Sequence, residues 1–223
     1  PGGPREGDAD TDITHNFLDI EIIPEYSGST VTNVRVQGVS TLSAQAAVDG
    51  LTTFTIDLAA NLTVNSVTGD VGSWTRVGNT IVVTLDQPYS AGEAFQVAVN
   101  YQGYPQDGGW GSFRWWLRND NLAVGTLSEP FYAKYWWPCK DALLDKATMQ
   151  MHCTVPNGMV VASNGVLEGT DAVGSDRTKF RWREDYPMIT YLASLAITNY
   201  QRYDIVYNYN DGEPRTMPVW CYL

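Results

Sequence analysis

Histidine is nearly missing from this 223-residue chain: His15 and His152 are the only two, 137 positions apart. Catalytic zinc needs three protein ligands, commonly two histidines one helical turn apart with a distant carboxylate, and no H-E-x-x-H occurs. The chain by itself is therefore not expected to build a metal centre or to be an enzyme, and each histidine reads as an ordinary strand residue. Lysine is scarce too. Four lysines contribute to 14 basic against 25 acidic residues, a net charge of −11, and the basic side chains are scattered. No continuous positive track faces phosphates, which excludes nucleic acid as a partner. The three cysteines, Cys139, Cys153 and Cys221, have no CxxC spacing and fit neither a disulfide-dense scaffold nor a zinc ribbon. Long apolar runs are absent: residues 191–197 form the longest nearly unbroken one, against the roughly 18 that a membrane span requires. A G-x-S-x-G elbow, a glycine-rich phosphate loop and any sustained helical periodicity are lacking as well.

What is present is alternation. Leu18, Ile20 and Ile22 skip by two, as do Phe54, Ile56 and Leu58, then Ile81, Val83 and Leu85, then Phe95, Val97, Val99 and Tyr101. This is the period of strands with one buried face. Asp49-Gly50, Gly78-Asn79, Ala91-Gly92, Asn157-Gly158, Asn164-Gly165 and Asp211-Gly212 supply turn residues tolerant of positive φ. The pattern predicts an all-β domain, a sandwich or a large curved sheet. Residues 1–12 (PGGPREGDADTD) read as a disordered lead-in and residues 13–223 as a single β-rich domain. The lead-in has neither a basic nor an apolar leader region, so a signal peptide is absent or already removed. Few lysines, many Asn and Thr, and a sequon at Asn61 lean towards an exported protein. Asp8, Asp10, Asp12 and Asp19 match the acids of a calcium loop, but Ile13 stands where the sharp turn demands Gly; they read as solvated acids.

Residues 104–147 break the rhythm, and Trp110, Trp115, Trp116, Trp136 and Trp137 lie there. A long segment with little alternation between regular strands is where binding or catalytic groups are normally carried. Cys139, after a proline among bulky aromatics, reads as a buried inert thiol before it reads as a nucleophile. The tryptophans form either core or an exposed platform for sugars, with packing the weightier alternative. Asp107 and Glu129 are the natural candidates for polar recognition.

Four ordered stretches carry a resemblance. HNFLDIEIIPEYSGSTVTNVRVQGVSTLSA, LDQPYSAGEAFQVAVNYQGYP, YAKYWWPCKDALLDKATMQMHCTVPNGMVVASNG and YPMITYLASLAITNYQRYD resemble, in the right order, the amino-terminal domain of the aminopeptidase N family of zinc metallopeptidases, the gluzincins. The likeness spans about residues 14–223, with Lys140 and Ala142 departing from the acidic and Glu-Pro character common after the cysteine. It implies a saddle-like β-sheet domain forming one wall of an active-site cleft. The zinc motif and the G-x-M-E-N substrate motif belong to a following thermolysin-like catalytic domain, so zinc is implied for that domain and peptides as its substrates. In the family, a Gln or Glu just upstream of the aromatic-Pro-Cys motif helps hold the substrate's free α-amine, and in TLSEP that position falls on Glu129. A carboxylate suits the role because its hydrogen bond to an ammonium is charge-assisted. The rival class is a β-sandwich binding or scaffold module, for carbohydrate or protein, with no peptidase activity.

Overall fold

The computed structural model describes residues 8–210, 212 and 214–223. Most of the expected lead-in, residues 1–7, lies outside the described residues; Asp8–Asp10 form a 3-10 turn and the first strand already begins at Thr11. The strands in chain order are β1 (Thr11–Ser27), β2 (Thr30–Ala46), β3 (Leu51–Asp57), β4 (Leu62–Gly69), β5 (Val71–Val77), β6 (Thr80–Tyr89), β7 (Ala94–Gly103) and β8 (Arg114–Arg118). They continue with β9 (Asn121–Gly125), β10 (Lys146–Pro156), β11 (Val160–Ser163), β12 (Val166–Val173), β13 (Arg177–Ile189), β14 (Leu195–Thr198), β15 (Arg202–Asn210) and β16 (Pro214–Tyr222). The only helical elements among the described residues are three 3-10 turns of 3 residues each, so none is long enough to cross a membrane. The expected all-β class holds.

A seven-stranded sheet runs in the order β12-β13-β10-β1-β2-β7-β4; a four-stranded sheet β11-β14-β9-β8, a three-stranded sheet β3-β6-β5 and the hairpin β15-β16 complete the fold. The long hairpin β1-β2 is its spine. On β1 the even positions Leu18, Ile20 and Ile22 are buried. A bulge between Ile13 and His15 shifts the register so that odd-numbered Ile13 faces the same core, as one extra residue reverses every side chain. Phe95 of β7 meets Phe54 of β3 at 5.3 Å between ring centroids, and the Trp182 indole of β13 donates to the Val161 carbonyl of β11 at 3.2 Å. The two smaller sheets thus share one contiguous core with the large one. At Gly38 the strands approach so closely that a β-carbon would sit 2.1 Å from the Asp19 carbonyl oxygen, and only glycine fits.

The outward face pairs most of its basic residues with acids. Arg177, Lys179, Arg181 and Arg183 alternate along β13, and each meets an acid: Glu21, Asp19, Asp171 and Glu168 respectively. The stripe is internally neutralised.

Candidate functional site

The segment that breaks the alternation folds into a hub. Trp136 and Trp137, both 0% exposed, lie 5.8 Å apart in the shared core. The Trp136 indole donates to Ser128 Oγ at 3.0 Å, and its carbonyl accepts the Tyr101 hydroxyl from β7 at 2.9 Å. The Pro138 carbonyl accepts Ser40 Oγ from β2 at 2.8 Å, and Cys139 makes an antiparallel bridge to Asp57 at the end of β3. Trp136, Pro138 and Cys139 therefore pin the large sheet to the three-stranded one. Cys139 is buried within this pin, as a packing residue would be. Burial pushes the Cys153 thiol of β10 far up, which keeps it from being a ready nucleophile.

Lys140, where the family pattern is acidic, turns inward. Its side chain is 4% exposed; the ammonium donates to the Thr11 carbonyl at 2.5 Å and pairs with Asp145, itself 8% exposed. Asp145 also accepts the Ile13 N–H at 3.2 Å. The pair ties the start of β1 to the loop before β10. Phe131, Ala47, Leu143 and Leu144 join it around an apolar cavity of about 550 Å³. No spacing in the sequence announces this pair.

Glu129 sits on the loop that the hub holds. Ser128 is buried against Trp136, and its carbonyl accepts the Tyr132 N–H at 2.9 Å, closing a turn over residues 129–131. The Glu129-Pro130 peptide bond is cis, and the Glu129 side chain is exposed. Downstream, the Lys134 ammonium donates to the Phe131 carbonyl at 2.7 Å and pairs with Asp141 at 3.1 Å. Burial raises the Asp141 carboxyl above its ordinary range, against the pull of Lys134. The result is an exposed carboxylate on a loop fixed on both sides.

Asp107 has a different task. One carboxylate oxygen accepts the N–H groups of Gly109 (3.0 Å), Gly111 (2.8 Å) and Ser112 (3.2 Å), and the other takes the Arg114 guanidinium at 2.7 Å. Its desolvation opposes ionisation, but Arg114 and the backbone donors hold it below the usual carboxylate range. It is a loop organiser, already saturated. The Tyr135 and Tyr132 rings lie where β-carbons at Gly108 and Gly109 would fall, at 2.3 and 2.6 Å. Gly108→Ala is expected to cost about 1–3 kcal/mol, the usual range for overpacking, as a lowered urea midpoint with an unchanged m-value.

The histidines stand apart from this loop. His15 Nδ1 lies 2.8 Å from Thr148 Oγ1, while His152 packs edge-on against Phe17 at 4.9 Å. Partial burial lowers both imidazole pKa values. No group of three His, Cys, Asp or Glu able to hold a metal occurs among the described residues. The calcium-like acids are likewise dispersed, with Asp12 and Asp19 on β1 and Asp19 paired to Lys179 at 2.8 Å. The tryptophans divide: Trp136 and Trp137 are core, whereas Trp110 and Trp116 are 78% and 47% exposed.

Three sheets and a hairpin around a pinned, carboxylate-bearing loop define the class, an all-β domain. The chain matches the Peptidase M1 N-terminal domain over residues 14–192 and belongs to that family. Among solved structures, an M1 zinc metallopeptidase mutant from Deinococcus radiodurans is similar with a TM-score of 0.79 and 20% identity, covering 95% of this chain and 47% of its own. The same enzyme with a Tyr-Ser-Ala substrate bound gives 0.78 and 22%, covering 95% and 47%. A two-domain M1 zinc metallopeptidase mutant bound to L-tryptophan gives 0.78 and 21%, covering 98% and 48%. The chain thus spans about half the length of these structures. A comparison with curated proteins gives no match.

Proposed function

We propose that this chain is the non-catalytic amino-terminal domain of a zinc-dependent aminopeptidase, forming one wall of its active-site cleft, with Glu129 binding the free α-amine of peptide substrates. The observation that carries the reading is the exposed Glu129 carboxylate on a loop held by Trp136 and Tyr132. A carboxylate fixed before the ligand arrives loses little freedom on meeting an ammonium, and expulsion of water by a closing partner strengthens the pair. The zinc that the family name implies would be held by a following catalytic domain.

The β15-β16 hairpin supports such a partner. It lies beyond the matched residues 14–192, joins no other sheet among the described residues, and exposes Tyr203, Ile205, Val206, Tyr207 and Met217 at 49–58%. Trp220 seats the hairpin on Trp182 at 6.2 Å, but the exposed apolar groups call for a further layer. The next domain provides it.

In a protein containing both domains, Glu129→Ala is expected to lower kcat/KM for a free-amine aminoacyl anilide by about 10–100-fold, as for loss of a hydrogen bond to a charged group. The N-acetylated substrate should discriminate less between the two forms. An unchanged specificity constant removes Glu129 from the site. The module reading draws on the exposed Trp110 and Trp116; a saturable change in tryptophan fluorescence with oligosaccharides is the result that would favour it.

A further inference from the structure

Trp110 is placed against every ordinary preference of its residue type. It is the most exposed large hydrophobic in its loop, at 78%, and its φ is +56°, a left-handed conformation that bulky side chains rarely adopt. Among the described residues the other non-glycine positions at positive φ are Asn119 and Asp120, types that tolerate it in a hairpin turn. Glycines flank Trp110 on both sides, so the chain had residues suited to that conformation next door.

The strain is not the slack of a loose loop. Asp107 takes the N–H groups of Gly109, Gly111 and Ser112, Ser112 Oγ takes the N–H of Gly108 at 2.8 Å, and the Ser112 N–H returns to the Gly109 carbonyl at 3.1 Å. The Tyr132 and Tyr135 rings back the glycines. Backbone strain that persists in an over-determined loop, and that holds an indole in water, is the arrangement of a preorganised contact.

Its position says with what. The Gly111 carbonyl accepts the Leu127 N–H at 3.0 Å, so the residue after Trp110 is bonded directly to the residue two before Glu129. Tyr132, which backs Gly109, also closes the turn around Glu129 through the Ser128 carbonyl. The two loops are bonded into one unit that carries an exposed indole and an exposed carboxylate. We propose that Trp110 is a specificity-determining residue that stacks against an apolar or aromatic side chain of the peptide whose amine Glu129 holds. The inference rests on the amine-binding reading of Glu129. An indole offers a broad rigid face with only two rotatable bonds, which suits flat and branched side chains and contributes nothing to glycine.

The test uses Trp110→Gly and Trp110→Phe in a two-domain protein. Glycine relieves the left-handed strain, so this variant should keep or raise the melting temperature, and loss of activity cannot then be ascribed to unfolding. Trp110→Gly is expected to lower kcat/KM for phenylalanyl and leucyl anilides by about tenfold, the scale of one lost apolar contact, with the glycyl anilide unchanged and Trp110→Phe restoring most of the loss. Equal loss on all three substrates, or no loss on any, overturns the proposal. Glu129→Ala separates the two readings: it should lower all three substrates alike, and if it changes none while Trp110→Gly remains selective, the amine reading fails and the stacking role stands. On the 223-residue chain itself, phenylalanine amide should shift one indole NMR resonance, the one missing from Trp110→Gly. If that resonance stays put up to tens of millimolar, the range of a weak single-wall contact, the stacking role is overturned.

Discussion

Replacing Trp136 by Ala is expected to lower the unfolding free energy by about 3–5 kcal/mol, the range for emptying a large aromatic from a close-packed core. The side chain is fully buried between the sheets, its ring tilted against that of Trp137 at 5.8 Å. Its loss also strands Ser128 Oγ, which receives the indole N–H at 3.0 Å and has no route to solvent. Urea denaturation followed by circular dichroism measures the change. Trp116→Ala, on an exposed edge strand, is the control and should fall within about 1 kcal/mol of the parent. Trp136→Phe keeps most of the volume and loses the hydrogen bond, so it belongs between the two. A Trp136→Ala variant as stable as the control would mean that the aromatic-Pro-Cys segment is not the hub its contacts describe. Because Ser128 is the residue before Glu129, the same variant should weaken amine-dependent binding beyond any loss of folded protein, whereas Trp116→Ala should leave it alone.

The second large effect is expected at the inward-facing ion pair. Asp145→Ala leaves the Lys140 ammonium with only the Thr11 carbonyl, in a position 4% exposed, and removes the acceptor of the Ile13 N–H. An uncompensated buried charge costs about 3–5 kcal/mol. Lys140→Met combined with Asp145→Leu removes both charges and should recover most of that, because the apolar walls supplied by Phe131 and Leu143 accept hydrocarbon. The double variant should remain about 1 kcal/mol short where the Ile13 N–H stays unpaired. A double-mutant cycle read by urea denaturation yields the coupling, expected to be strongly non-additive for groups in contact. Should Asp145→Ala prove nearly neutral, water entering the 550 Å³ cavity beside the pair already solvates the ammonium, and the pair is a surface one in energetic terms.

The alternation of Leu18, Ile20 and Ile22, and of Phe95, Val97 and Val99, was enough to predict strands, because side chains of an extended chain alternate between faces whatever lies beside them. The same reasoning passed over the hairpin β8-β9 inside the irregular segment. Its strands have only 5 residues each, and β8 is largely exposed, so no apolar alternation marks it. A signal was nonetheless present in Asn119-Asp120, whose φ values of 49° and 62° suit the two-residue turns that join strands. Asp107 and Glu129 looked alike as polar candidates in a tryptophan-rich stretch. Only the folded loop separates them: three N–H groups and Arg114 consume Asp107, while Glu129 faces solvent.

The sequence by itself determined the β class and the family likeness, since each depends on local period or ordered motifs. Tertiary structure alone decided that Cys139 bridges to Asp57, that Lys140 is buried against Asp145 at the start of β1, and that the loop of Trp110 is bonded to the loop of Glu129. Those contacts join residues up to 129 positions apart, and no period or motif in the chain encodes which distant segments will be neighbours. Sheet order and register settle that, through the burial of one shared core.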